Sequence, residues 1–170
     1  QDMPKITPTL TITSKKYSSA ADSGPTTSPI VISVTDTLDI TEVRQKVVDV
    51  SDDHVLLFDA NTEGSGIISY TDTTTEAGVD GGFLYLKNLT SDMAAASQVD
   101  IYIGVKVEAG SVEALEGETA AQRFMTLKPG EFSFLAWDMR HDIVIDSAAP
   151  ADTVIAGALE AIFFVRTTSV

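Results

Sequence analysis

The chain contains no cysteine. That removes disulfide staples, thiol nucleophiles and cysteine-held zinc together. Histidine is nearly absent too, with only His54 and His141. Basic residues are scarce: 11 Lys and Arg stand against 25 Asp and Glu, a formal charge of −14. Phosphate binding needs clustered Lys and Arg, so nucleic acid is not expected as a partner. An anionic membrane surface is unfavourable for the same reason. No run of about 18 apolar residues exists, so no transmembrane helix is expected. The longest apolar stretch, 155–165, is interrupted by Gly157 and Glu160. No glycine pattern matches a dinucleotide or Walker loop, and no cofactor is expected.

What remains is an ordinary globular composition. At 170 residues the chain suits one domain with a substantial core. A core of that size does without disulfides, so the missing cysteines say little about compartment. The acidic balance reads first as solubility, with self-repulsion screened by salt, and second as attraction to a basic partner surface. The chain opens on Gln1 rather than Met. Trimming of a longer chain accounts for that, and so does a cleaved leader.

Residues 1–29 are rich in Thr, Ser and Pro and read as an extended arm. Thr9–Thr13 alternates polar and apolar, as a short edge strand does. Pro4 and Pro8 cannot donate ladder hydrogen bonds. Residues 18–29, with Gly24, Pro25 and Pro29, read as loop or arm. From Ile30 the strand signals are dense: 30–34, 37–40, 44–50, 54–58, 66–70, 83–88, 99–107, 123–127, 131–136, 142–146 and 158–167. A short helix over 41–48, capped by Thr41, competes with the third of these. Residues 71–82 and 110–122 read as loops, the second strongly acidic. Ala94-Ala95-Ala96 suits one helical turn. Pro129-Gly130 fits a type II turn, with positive φ at the glycine. Two β-hairpins are expected, 83–88 with 99–105 and 123–127 with 131–136.

Short strands every 10–15 residues, about ten in all, are the pattern of an all-β sandwich or barrel. The expected fold is a single antiparallel β-sandwich, jelly-roll-like, over 30–170, preceded by the arm at 1–29. Spacing does not separate jelly-roll from immunoglobulin-like strand order.

No catalytic constellation stands out. Asp52, Asp53 and His54 lie together, as do Asp138, His141 and Asp142; solvated turn carboxylates are the simpler account of both. An enzyme would draw an acidic pair from Asp52, Asp53, Asp138 and Asp142. Asp49, Asp52 and Asp53 are spaced as calcium ligands but lack the glycine and terminal glutamate of a calcium loop. No metal site is assigned. Phe83, Tyr85, Phe132, Phe134, Phe163 and Phe164 read as core at strand spacing. Trp137 reads as a core anchor at a strand end, with a ligand platform as the competing account. Asn88-Leu89-Thr90 matches the N-glycosylation acceptor.

The segment from Gly82 to Val170 resembles small virion structural proteins of tailed bacteriophages. The resemblance lies in Phe-Leu-Tyr-Leu-Lys-Asn at 83–88, Ile-Tyr-Ile-Gly-Val at 101–105, Leu-Lys-Pro-Gly-Glu-Phe at 127–132 and the closing Phe-Phe-Val-Arg at 163–166. It implies a non-enzymatic capsid decoration, or cement, protein on the virion surface. The implied partners are the major capsid protein and further copies of the chain, with a homotrimer favoured. Ile6, Leu10, Ile12 and Tyr17 of the arm are the candidate partner contacts. A tail or head-fibre component, or a receptor- or glycan-binding module, is the alternative.

Overall fold

The computed structural model describes residues 5–13, 31–35, 37–40, 42–53, 55–58, 79–105, 123–137 and 142–167. The expected strand at 66–70, the acidic loop at 110–122, and Tyr17, His54, Asp138 and His141 lie outside them. Among the described residues, secondary structure is β throughout, apart from two single 3-10 turns at Thr90–Asp92 and Ala95–Ser97. The strand competing with a helix at 41–48 is settled as strand.

The chain divides into two units after Ile40. The first contains two antiparallel ribbons. Strand β1 (Lys5–Ile6) pairs with β4 (Leu38–Asp39), and β2 (Thr9–Thr13) pairs with β3 (Val31–Thr35). The division therefore falls later than Pro29. The strand after that proline is bonded to Thr9–Thr13, so it belongs with the N-terminal residues. Leu10 lies opposite Val34 in this ribbon, and both are exposed.

The second unit, 41–170, is an all-β sandwich of eight strands. These are β5 (Glu42–Ser51), β6 (Val55–Phe58), β7 (Val79–Asn88), β8 (Ile101–Val105), β9 (Arg123–Leu127), β10 (Phe132–Trp137), β11 (Ile143–Ser147) and β12 (Val154–Thr167). One sheet runs β10-β7-β12-β5 and the other β6-β11-β8-β9, all antiparallel. The pairs β5·β12, β6·β11, β7·β10 and β8·β9 are nested. This is the order made by folding one long two-stranded ribbon over on itself.

Alternation explains the core. In β7, Leu84 and Leu86 point inward while Phe83, Tyr85 and Lys87 point out. In β12, Leu159, Ala161, Phe163 and Val165 are buried, and Ile162 and Phe164 take the other face. The facing sheet supplies Leu57, Ile101, Ile103, Ile143 and Ile145. Phe58 and Phe163 meet across the sandwich with ring centroids 5.5 Å apart. At the far end, the Ser147 hydroxyl donates to the Ser51 carbonyl at 2.9 Å and ties β11 to β5.

Both expected hairpins are replaced by crossings between sheets. Strands β7 and β8 lie in different sheets, and so do β9 and β10. The Pro129-Gly130 turn is present: Glu131 N–H donates to Lys128 O at 2.9 Å, and Gly130 has φ 81°. Type II geometry splays the strands it joins, unlike the primed turns of two-residue hairpins. So β9 pairs with β8 and β10 with β7.

Asn88 holds this crossing together. Its Nδ2 donates to Val99 O at 2.8 Å, just before β8, and to Leu127 O at 2.9 Å, at the end of β9. Its Oδ1 accepts from Thr90 N at 2.9 Å and from the Thr90 hydroxyl at 2.6 Å. Its backbone N–H donates to Glu131 O at 2.9 Å, and its carbonyl accepts from Gly130 N at 3.0 Å. The residue is fully buried, and its side-chain capacity is used on both sides.

Asn88→Ala strips partners from several buried groups at once and is expected to cost about 3–5 kcal/mol by urea unfolding. Gly82→Ala is expected to cost about 1–3 kcal/mol, because a Cβ there would collide with the Phe164 carbonyl.

Candidate functional site

The two faces of the β10-β7-β12-β5 sheet differ in what they cover, and both carry large apolar side chains. The inward face is core. The outward face is set by registers Phe134↔Tyr85, Ala136↔Phe83, Ile162↔Tyr85 and Phe164↔Phe83. It presents Phe132 and Phe134 from β10, Phe83 and Tyr85 from β7, Ile162 and Phe164 from β12, and Val43 and Val47 from β5. Phe132 is 64% exposed, Phe134 40%, Val43 51% and Val47 54%.

The rings on this face are packed on one another. Phe83 and Phe134 are stacked at 5.5 Å with an interplanar angle of 2°. Tyr85 meets Phe132 at 6.2 Å, and Phe134 meets Phe164 at 6.2 Å. Such contacts fix side chains that would otherwise lose rotamer freedom on binding. Glu160 and Lys87 are cross-strand neighbours at one end of this face, where Gln45 Nε2 donates to Glu160 Oε1 at 2.8 Å. The face is thus a preformed apolar surface with a polar margin.

This corrects the sequence reading of the aromatics. Of the six expected in the core, only Phe163 is there; the other five line the outer face. Alternation puts Phe163 and Phe164 on opposite faces of β12 but does not tell which face is buried. Trp137 is on the inner side of β10, partly buried and packed on the core. Its indole Nε1 is buried and finds no hydrogen-bond partner among the described residues.

Of the carboxylates weighed as ligands or catalysts, Asp49 and Asp52 accept hydrogen bonds from backbone N–H groups. Asp49 Oδ1 accepts from Gly157 N at 2.5 Å, where Gly157 takes φ 66° and β12 bulges. Asp52 Oδ2 accepts from Asp152 N at 2.8 Å. Asp53 N–H donates to the Ser51 hydroxyl at 3.2 Å. Asp142 and Asp146 are buried beside and within β11 rather than solvated at its ends. Asp146 Oδ1 accepts from Ser147 N at 2.7 Å. Among the described residues there is no cluster of three or more His, Asp and Glu able to hold a metal ion. The glycosylation acceptor at 88–90 is closed, since Asn88 Nδ2 spends its protons on Val99 and Leu127 inside the protein.

Of the arm residues singled out, Leu10 is 53% exposed and Ile6 half-buried. Ile12 occupies the register position opposite Ile32. Tyr17 and the Ile12 side chain lie outside the described residues. Elsewhere, the Arg123 guanidinium lies 4.1 Å over the Tyr102 ring.

No protein-family model, no curated protein and no solved structure matches this chain.

The two aromatic populations should separate in unfolding experiments. Phe163→Ala is expected to cost about 3–5 kcal/mol, and Phe132→Ala under about 1 kcal/mol. Trp137, the sole tryptophan, is expected to emit blue-shifted fluorescence that iodide quenches poorly; red-shifted, readily quenched emission would contradict its packing on the core.

Proposed function

We propose that this chain is a non-enzymatic structural protein that works by surface contact, docking through the aromatic outer face of the β10-β7-β12-β5 sheet. One observation carries the reading. A protein of charge −14 keeps a packed cluster of aromatic rings on the solvent side of a sheet. Contiguous exposed apolar residues of this kind are read as an interaction site rather than scattered exposure.

The resemblance of residues 82–170 to tailed-bacteriophage virion proteins gives the contact its setting. The protein is read as a capsid decoration protein on the virion surface, binding the major capsid protein as a small homo-oligomer. The nested strand order is read as a jelly roll, an architecture that carries capsid and lectin domains alike, so fold alone does not choose the function. Several modest apolar contacts made at once on a repeating shell reinforce each other. The exposed ribbon residues Leu10 and Val34 supply a second such contact. Trp137, packed against the core, does not offer the exposed ring that a glycan platform needs.

The test is co-sedimentation with capsid shells that lack the protein. Wild type is expected to bind saturably, and folded Phe83→Ser and Phe164→Ser to bind at least about tenfold more weakly. Equal binding by the variants, or none by wild type, would overturn the reading. Saturable sugar binding without shell binding would favour the receptor module.

A further inference from the structure

Among the described residues, four strands of the sandwich have a free edge: β10 and β5 in one sheet, β6 and β9 in the other. A free edge exposes unpaired N–H and C=O groups, and proteins usually block it with charge, brevity or a bulge. Three of these edges are blocked. Strand β5 carries Arg44, Lys46 and Asp49. Strand β6 has four residues, and its register with β11 shifts at Ile143/Val144. Strand β9 begins with Arg123, and its register with β8 shifts at Ile103/Gly104. Strand β10 has none of these devices. It reads Phe-Ser-Phe-Leu-Ala-Trp, without charge or proline, in unbroken register with β7.

Alternation fixes what this edge offers. Asn88 N–H donates to Glu131 O, so residues 131, 133, 135 and 137 are the ones bonded to β7. The N–H and C=O groups of Phe132, Phe134 and Ala136 then point away from it. The same three residues turn their side chains to the outer face.

We infer that β10 is a self-association edge, pairing antiparallel with β10 of a second copy about a two-fold axis at Phe134. An antiparallel edge is its own complement, and this one spaces three donors and three acceptors symmetrically about Phe134. Directly opposite side chains share a face, so only registers that match outward with outward residues keep both cores on one side. Centring on Phe134 sets it opposite Phe134 of the second copy and Phe132 opposite Ala136. It closes about six backbone hydrogen bonds. A one-residue slip would set Phe134 against Leu135 and turn the second core to the wrong side. Strand β10 itself brings no charge to the seam between two −14 chains, and the acids Glu131 and Asp138 flank it in sequence. A closed trimer would need β10 to pair with a different edge, and each of the other three is blocked. The pairing joins two aromatic faces across an eight-stranded sheet. It does not rest on the shell reading.

The absence of cysteine makes the test clean. Opposite residues in a bonded antiparallel pair lie about 5.5 Å apart at Cα, within disulfide reach. Full-length Phe134→Cys is expected to oxidise to a covalent dimer at micromolar protein, and Val47→Cys on the blocked β5 edge is not. Proline is tolerated where its missing N–H faces away from the sheet. In sedimentation equilibrium, Phe134→Pro is expected to raise the dimer dissociation constant about tenfold or more. Should that variant misfold, Phe132→Lys at the same edge reads the same loss. A wild-type monomer or trimer, equal cross-linking at Val47, or a dimer indifferent to β10 variants would each overturn the assignment. Shell binding is measured separately, so either reading can fail without the other.

Discussion

The sandwich depends on one buried amide. Asn88 sits at the end of β7, where the chain leaves one sheet for the other twice, at 89–100 and at 128–131. Its Nδ2 reaches both departing segments, at Val99 and Leu127, while its backbone binds the start of β10 through Gly130 and Glu131. Burying an amide without partners is costly, and here every proton and lone pair direction is met, so the network specifies one arrangement. Asp would lose the two donors, and Leu would take from Leu127 O and Thr90 N the partners they have in this network. The Thr90 hydroxyl completes the unit by donating to Asn88 Oδ1 while Val99 N–H donates to it at 3.4 Å. The geometry of the aromatic face follows, since it is this network that delivers β10 to the edge beside β7.

Much of the fold was legible in the sequence, because period-two alternation is a local signal. Leu84-Tyr85-Leu86 and Ala161-Ile162-Phe163 announce strands without help from tertiary structure. The Pro129-Gly130 turn was legible as well, down to the positive φ of the glycine. Partner choice was not. A turn between two strands invites the hairpin reading, yet a type II turn carries the wrong twist for one, and that was the available clue. The bulge at Gly157 went unseen because its cause, the Asp49 carboxylate, is more than a hundred residues away in sequence.

The aromatic face was the harder reading. Alternation sorts residues onto two faces but does not say which is covered. In β12 both faces are apolar, so Phe163 and Phe164 look alike in sequence. They differ only because Phe163 meets Phe58 across the sandwich while Phe164 packs edgewise on Phe134 in the outer layer. The acidic residues misled in the opposite sense. Asp49, Asp52 and Asp146 look like solvated or ligand-binding carboxylates, but each accepts a backbone N–H at a turn, bulge or strand end.

The account stands or falls on whether the aromatic sheet is the working surface. Hydrogen–deuterium exchange of the full chain, free and bound to capsid shells, measures that directly. The account predicts new protection in peptides from β10, β7 and the outer half of β12, with the Ser51–Ser147 end of the sandwich unchanged. Protection confined to that end, with β10 exchanging as before, would contradict it.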